Sequence, residues 1–437
     1  MMKAILQDLE SIVGSTGVCP WDNVAAAQQA QIVQSITPET HIDCVVYPHT
    51  QAELAEVIAC AAQNRWRVLP CGSASKLSWG GLADDIQVVV STERLNRLVE
   101  HAVGDLTVTV ETGVKFAELQ ARLTKANQFL ALDPAYPELA TIGGIVATAD
   151  TNSLRQRYGG VRDMLLGLSF VRADGQTAKA GGRVVKNVAG YDLMKLFTGS
   201  YGTLGILSQV TFRVYPLPET SQTVVLTGEV EAIAKTVATL QSSALTPTAM
   251  DLLSTQVMKS LDLGKGMGLV VQFQSVTASV QEQTARTLAV GQALALSSTV
   301  YAEADETELW QRLRDCLGFS VPDQQIACKI GVRPSEAVAT LTEIDTRLSG
   351  VGLIHAGSGL GWLIFDSQIC PPEALLELRS LCAAKGGFLS ILQAAIALKQ
   401  QVDVWGYPGN ALGLMRGLKQ QFDPDNLFSP HRFVGGI

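Results

Sequence analysis

Glycine crowds the middle of this chain. Residues 139–205 hold 12 of its 39 glycines, more than twice the ~7% share of average proteins. The densest pieces are Thr141-Ile-Gly-Gly-Ile-Val-Ala-Thr148, Arg157-Tyr-Gly-Gly160 and Gly199-Ser-Tyr-Gly-Thr-Leu-Gly205. Glycine at this density lets backbone approach a neighbour closely or take dihedrals that side chains forbid. These glycines sit between strand- and helix-forming segments, not in a flexible tract. They predict a rigid cradle for a large flat ligand that carries phosphates.

The rest of the composition narrows the ligand and the setting. A chain of 437 residues exceeds one ordinary core, so two domains are expected. Apolar residues make up 47% and charged residues 17%, enough to bury a core and exclude disorder. The net charge of −8 argues against nucleic acid as the main partner, so an anionic ligand must be held by local groups. Eight cysteines (Cys19, Cys44, Cys60, Cys71, Cys316, Cys328, Cys370, Cys382) form no C-x-x-C pair, and zinc or iron–sulfur spacing is absent. No metal site is expected. The opening Met-Met-Lys-Ala-Ile-Leu-Gln-Asp-Leu-Glu reads as an amphipathic helix, not a signal sequence. Reduced thiols and a cytoplasmic setting follow as expectations, and no apolar run reaches the ~18 residues of a membrane span.

Strand and helix patterns alternate through the first half. Thr50-Gln-Ala-Glu53 reads as a capping box, with apolar positions at Leu54, Val57, Ile58, Ala61 and Ala62 behind it. Strands are expected at 67–69, 86–90, 108–111 and 206–214, and helices at 115–127 and 191–197. A hairpin is expected to turn at Asp174-Gly175. Tyr215-Pro-Leu-Pro218 cannot continue a central strand, which sets a domain boundary there. Beyond it, 224–253 and 269–301 each read as strand–helix–strand. These units suggest an antiparallel sheet backed by helices. The expected division is 1–218, a second domain over 219–410, and a segment 411–437 that returns to the first.

Two familiar phosphate sites fail on spacing. Gly199, Gly202 and Gly205 precede a strand, whereas a Rossmann turn follows one and opens a helix. No Walker G-x-x-x-x-G-K-[ST] occurs. Two Gly/Ser loops remain, 71–81 and 141–148, each able to present backbone N–H groups to a pyrophosphate. Either alone reads better as a simple tight turn.

Together and in order, the pieces resemble the flavin-binding domain of the vanillyl-alcohol oxidase and p-cresol methylhydroxylase family, in its glycolate oxidase and D-lactate dehydrogenase branch. The residues that carry this are Val46-Tyr-Pro48, Pro70-Cys-Gly-Ser-Ala-Ser75, Leu132-Asp-Pro134, Thr141-Ile-Gly-Gly144, Tyr158-Gly159 with Arg162-Asp163, and Ala173-Asp-Gly175. Asn187-Val-Ala-Gly-Tyr-Asp-Leu-Met-Lys-Leu196 and Gly199-Ser-Tyr-Gly-Thr-Leu-Gly-Ile206 complete the set, and Phe422-Asp-Pro424 with Ser429-Pro-His-Arg432 resembles the family's closing motif. The resemblance implies an α+β fold: an FAD-binding domain of two α/β subdomains and a ferredoxin-like cap with an antiparallel sheet. It implies FAD as cofactor, held by Cys71, Gly72, Ser73, Ala74, Ser75, Pro134, Thr141, Ile142, Gly143, Gly144, Ala147, Thr148, Arg157, Tyr158, Gly159, Gly205 and Ile206. Loop 71–81 lacks the histidine to which some family members attach flavin, so noncovalent FAD is expected.

The catalytic branch carries H-A-G-D-G-N-x-H and a later S-G-E-H-G. Here the first reads His355-Ala-Gly-Ser-Gly-Leu-Gly-Trp362, and the second, Gly386-Gly-Phe-Leu-Ser-Ile-Leu392, has no Glu-His. One histidine without partner ligands makes a poor metal site. The candidate catalytic residues are His355, with Lys329 and Arg333 as a carboxylate clamp. Their bland readings are a hydrogen-bonded histidine in a sheet turn and a solvated strand edge. An FAD domain beside an eroded site resembles the smaller flavin subunit of bacterial-type glycolate oxidase. That implies partners: a catalytic flavin subunit, an iron–sulfur subunit and a small 2-hydroxy acid substrate, in the cytoplasm or peripheral at the inner membrane through those partners. A self-sufficient 2-hydroxy-acid dehydrogenase and a non-redox scaffold that keeps FAD for folding stay open beside it.

Overall fold

The structure is a computed structural model that describes residues 2–184, 190–318 and 324–437. It divides into two compact units. Unit 1 is Met1–Thr151, Gly160–Leu217 and Tyr407–Ile437, and unit 2 is Asn152–Gly159 and Pro218–Gly406. Asn187-Val-Ala189, which open the best of the family-like motifs, lie outside the described residues.

Unit 1 holds two sheets and a short ribbon. The first sheet comprises β1 (Val18–Pro20), β2 (Cys44–Val46), β3 (Val68–Cys71) and β4 (Val88–Ser91), in the order β1-β2-β4-β3. β2 and β3 run parallel to β4, and β1 runs antiparallel to β2. Both faces are buried, so the strands read as continuous apolar runs. Val46, Val68 and Val90 pack beneath Leu54, Val57, Ile58 and Ala61 of the helix Gln51–Asn64. Val45, Leu69 and Val89 face the other way, toward Ile32, Leu77 and Ile86. The helix starts where the sequence predicts: the Thr50 hydroxyl accepts from Glu53 N at 3.1 Å, while the Glu53 carboxylate takes the His49 amide at 2.8 Å.

The second sheet comprises β5 (Leu98–Ala102), β6 (Thr107–Glu111), β8 (Leu165–Val171), β9 (Thr177–Gly181) and β10 (Ile206–Arg213). Its order is β5-β6-β10-β8-β9, with every pair antiparallel. β7 (Gln128–Phe129) pairs with β11 (Tyr215–Pro216) beside it. The β8–β9 hairpin turns at Gly175, whose φ of +78° admits no side chain cheaply. A Cβ there would also lie 2.6 Å from that of Ala59.

Unit 2 is one eight-stranded antiparallel sheet: β12 (Thr220–Thr227), β13 (Ala249–Leu253), β14 (Gly268–Ser275), β15 (Ser297–Ala302), β16 (Gln325–Gly331), β17 (Val351–His355), β18 (Leu360–Asp366) and β19 (Phe388–Gln393). The order β15-β12-β14-β13-β17-β18-β16-β19 resolves into two ferredoxin-like βαββαβ units joined edge to edge through β13 and β17. The segments 224–253 and 269–301, read from sequence as two units, are the two halves of the first one. The second, 325–393, escaped the strand–helix rhythm altogether. Helices Val230–Ser242, Thr277–Ala293, Ala337–Arg347 and Pro372–Ala384 cover one face. Their Ile233, Val237, Val280, Leu341 and Leu378 pack on Leu226, Leu269, Ile354, Leu363 and Leu389 of the strands.

Candidate functional site

Unit 1 contains an open cleft walled by the loop after β3, by the short helix Ile142–Thr148, by the loop entering β10, and by Arg432 near the C-terminus. Of the residues predicted from sequence, Cys71, Gly72, Ser73, Ala74 and Ser75 form one wall. Thr141, Gly143, Gly144, Ala147 and Thr148 form a second, and Gly205 and Ile206 a third. In the helix, positions 143, 144, 147 and 148 share the cleft face through i, i+3/i+4 spacing. Ile142 does not line the cleft because the same periodicity turns it into the core, where it is fully buried. Pro134 is buried outside the cleft lining as well. Arg157, Tyr158 and Gly159 belong to unit 2, and Arg157 is exposed there.

The two glycine loops offer different things. At the helix, the amides of Ile142, Gly143 and Gly144 already donate to Val114 O (2.9 Å), Thr112 O (2.8 Å) and the Thr141 hydroxyl (3.3 Å). Those of Ser73, Ala74, Ser75 and Lys76 donate to no acceptor among the described residues. The loop is held in that form at a cost, since Ala74 sits at φ +62°, a left-handed conformation unfavourable for alanine. Four successive free N–H groups in a cleft make an anion nest.

Charge in the cleft comes from residues that sequence reasoning passed over. Lys76 and Arg432 line it, as do Tyr201, Thr92, Ser200 and Gly202. Lys76 Nζ lies 3.0 Å from Asp150 Oδ2, with both side chains buried, and Ala135 N donates to the same oxygen at 3.0 Å. Asp150 Oδ1 has no hydrogen-bond partner among the described residues. Burial pulls the Arg432 guanidinium down to about 10, which leaves it charged at neutral pH. Burial pushes the Tyr201 phenol well above its usual range, so it stays neutral. Lys76 lies in the Gly/Ser loop 71–81, Tyr201 in the Gly199–Gly205 stretch and Arg432 in the closing Ser429-Pro-His-Arg432. The signal was present, but three-dimensional proximity was needed to read it.

Cys71 is the one thiol on the cleft, and burial, reinforced by the Glu93 carboxylate, pushes it up to about 12. The nucleophile is the thiolate, so Cys71 is expected to resist iodoacetamide at pH 8 in the folded protein and to react fully in denaturant. Peptide mapping of the alkylated protein checks this. Because the folded value lies above the unfolded one, Cys71 favours the folded state up to about pH 9. That contribution is lost as pH climbs toward 12.

The predicted catalytic residues lie in unit 2. His355 ends β17 opposite Asp251 of β13. Its Nδ1 is 2.7 Å from Asp251 Oδ1, and the Ser153 hydroxyl donates to Asp251 Oδ2 at 2.5 Å. All three residues are buried. Lys329 pairs in register with Trp362, which pairs with Leu353, two residues before His355. The period of two puts Lys329 and His355 on the same face, although a strand separates β16 from β17. Lys329 Nζ lies 5.8 Å from the Trp362 ring centroid, and the Trp362 indole donates to Asn152 Oδ1 at 2.6 Å. Arg333 falls beyond the end of β16 and is exposed, donating to Lys385 O at 3.3 Å. The expected clamp of Lys329 with Arg333 is therefore not a pair on one strand. Among the described residues, no group of three or more His, Cys, Asp or Glu is placed to hold a metal.

Comparison with known proteins gives the class. Residues 42–181 match the FAD binding domain family. The fold superposes on p-cresol methylhydroxylase with a TM-score of 0.75 over 98% of this chain and 96% of that one, at 15% identity. Residues 42–181 are thus similar to the FAD binding domain family, and the likeness to p-cresol methylhydroxylase is one of fold. Among curated proteins it is similar to glycolate oxidase subunit GlcE of Escherichia coli, 29% identical over 348 residues covering 78% of this chain and 85% of that protein. It is also 29% identical over 235 residues to glycolate oxidase subunit GlcD of Bacillus subtilis, covering 54% of this chain and half the length of that protein. The cleft fits the cofactor: the free amides at 73–76 and the buried cations suit a pyrophosphate. A Cβ on Gly72 would lie 2.1 Å from the Thr141 hydroxyl, where the cradle has no room for it.

Proposed function

We propose that this chain is the FAD-binding subunit of a glycolate-oxidising complex, acting in the oxidation of 2-hydroxy acids beside a catalytic flavin subunit and an iron–sulfur subunit. The observation that carries the reading is a well-formed FAD cleft in a chain whose histidine motif is reduced to His355. Support for a subunit role comes from similarity to a glycolate oxidase subunit over 85% of its length; similarity to a probable D-lactate dehydrogenase over 92% of its length supports the self-sufficient alternative. FAD, when bound, supplies a two-electron acceptor. The chain's own residues hold it: the 73–76 amides receive the pyrophosphate, Gly143 and Gly144 let the helix backbone approach closely, and Arg432 and Lys76 set the local charge. Attachment is noncovalent in this reading, because the cleft's thiol is neutral. In unit 2, Asp251 holds the His355 ring through Nδ1. A 2-hydroxy acid needs a base for its hydroxyl proton and a cation for its carboxylate. Of the candidates, His355 is oriented by Asp251 through Nδ1, and Arg333 is exposed and bonded to Lys385 O.

The test has two steps. Acid precipitation of the purified chain is expected to release all its FAD into the supernatant; a yellow pellet would overturn noncovalent binding. Glycolate added anaerobically to the isolated chain is expected to leave the flavin oxidised, with dye reduction appearing once the two partner subunits are added. Bleaching of the isolated chain within seconds by glycolate or D-lactate would instead establish a self-sufficient dehydrogenase.

A further inference from the structure

The edge of a β-sheet exposes backbone N–H and C=O groups that can pair with a foreign strand, and proteins guard such edges. The three larger sheets show how this chain does so. β1 is three residues long and ends in Pro20. β3 is covered by the C-terminal segment, with Val68 N donating to Leu427 O at 2.8 Å and Ser429 N to Val68 O at 2.9 Å. β5 carries Glu100 and His101, and β9 carries Lys179. β19 is closed by the chain around it: Ile391 N donates to Val404 O at 2.8 Å, and Arg379 Nε to Leu389 O at 3.0 Å.

β15, the other edge of the eight-stranded sheet, has no such guard among the described residues. Ser297-Ser-Thr-Val-Tyr-Ala302 holds neither charge nor proline. It pairs with β12 in unbroken register from Ser297↔Thr227 to Ala302↔Gln222, so no bulge bends it away. In an antiparallel pair every second residue turns its N–H and C=O outward, and on β15 these groups meet no partner among the described residues. Ser297, Ser298, Thr299 and Val300 are all exposed, which leaves both faces of the strand open.

The surroundings select the occupant. Residues 287–302 hold no charged side chain, in a chain of net charge −8. A second copy carries the same charge and is repelled least along a neutral strip, whereas a basic partner would be met by acidic groups. The edge is also self-complementary, as a twofold interface must be. Val300 pairs with Val224 and shares its face, the one covered by the helix Thr277–Ala293. Beside it runs a shallow groove lined by Leu288, Gln292, Leu296 and Ser298. A twofold axis at Thr299 or Val300 sets each Val300 against the Ser298–Val300 stretch of the other copy, covering a side chain that is 40% exposed in the single chain.

We infer that β15 pairs antiparallel with β15 of a second copy, joining two unit 2 sheets into one across a twofold axis. The inference needs neither FAD nor a 2-hydroxy acid, so it stands or falls apart from the proposed subunit role. Sedimentation velocity of the full chain, over a hundredfold range of concentration, is expected to show a reversible monomer–dimer equilibrium. T299K/V300K changes two exposed side chains and is expected to keep the wild-type melting temperature. It should raise the dimer dissociation constant about 100-fold or more, because like charges then face each other across the axis. I369K, at another exposed apolar residue, should leave that constant unchanged. Hydrogen exchange at the 297–302 amides should be slower in the dimer than in the dilute monomer. A wild type that stays monomeric throughout would overturn the proposal, as would a dimer that survives T299K/V300K or yields equally to I369K. Protection of 297–302 that appears only when the partner subunits are added would give the edge to them and overturn self-pairing. If T299K/V300K does not fold, exchange decides: 297–302 amides that exchange alike in dimer and monomer overturn the proposal.

Discussion

Gly72→Ala is expected to give a folded protein that purifies colourless, with FAD affinity lowered roughly 100-fold, read by titrating the apo-protein with FAD. The added methyl would lie 2.1 Å from the Thr141 hydroxyl, 2.8 Å from its Cγ2 and 2.9 Å from its Cβ. Thr141 cannot withdraw, because its Oγ1 caps the helix Ile142–Thr148 through Gly144 N. The loop after β3 must move instead. Overpacking of this kind costs about 1–3 kcal/mol, and here it falls on the segment that aims the 73–76 amides. Removing the obstacle is expected to reverse it: G72A/T141G should regain most of the affinity, since glycine at a helix N-cap costs only roughly a few tenths of a kcal/mol. Gly104→Ala serves as the control, because a Cβ there meets nothing within 4 Å. G72A protein as yellow as wild type would show that this wall plays no part in holding the flavin.

Residues that act through local backbone were legible in the sequence, and those that act across the fold were not. Gly72, Gly143 and Gly144 stood out because glycine is the only residue that suits a close approach, and composition exposes it. The family-like motif counts Ile142 as a contact because a motif runs without regard to helix phase. The same phase read properly would have excluded it. Arg157, Tyr158 and Gly159 followed the glycine pattern, yet the chain places them with unit 2. Lys76 and Arg432 needed the opposite inference: a charged residue inside a small, apolar motif has to find a partner or a ligand. In unit 2 the strand-to-strand rhythm was visible, but the order in each ferredoxin-like half interleaves strands that are not neighbours in sequence. Counting rhythm alone therefore split one unit into two. The sequence leaves His355 open as either catalytic or a bonded sheet residue. Its partner Asp251 lies 104 residues earlier, which no local pattern reveals.

The buried Lys76–Asp150 pair carries the largest stability prediction. Asp150 is fully buried, and its Oδ2 takes both the Lys76 amine and Ala135 N. Lys76→Met removes the cation and leaves a carboxylate held by one amide in a dry site. Breaking such a pair from one side costs about 3–5 kcal/mol, although the intact pair contributes little net stability. For a unit of this size that corresponds to a fall in Tm of about 6–20 °C. Unit 1 is identified in the melting curve as the transition that added FAD raises, since a ligand stabilises only what it binds. In K76M/D150N the carboxylate is gone, while the side-chain amide that replaces it keeps a carbonyl to accept from Ala135 N. Most of the lost stability should return, giving a coupling of about 2 kcal/mol or more across the cycle. That non-additivity is the signature of the pair, because two independent packing losses would add. An FAD-free K76M protein that melts at the wild-type temperature but binds FAD weakly would give Lys76 a different role. Its charge would then serve the ligand rather than Asp150.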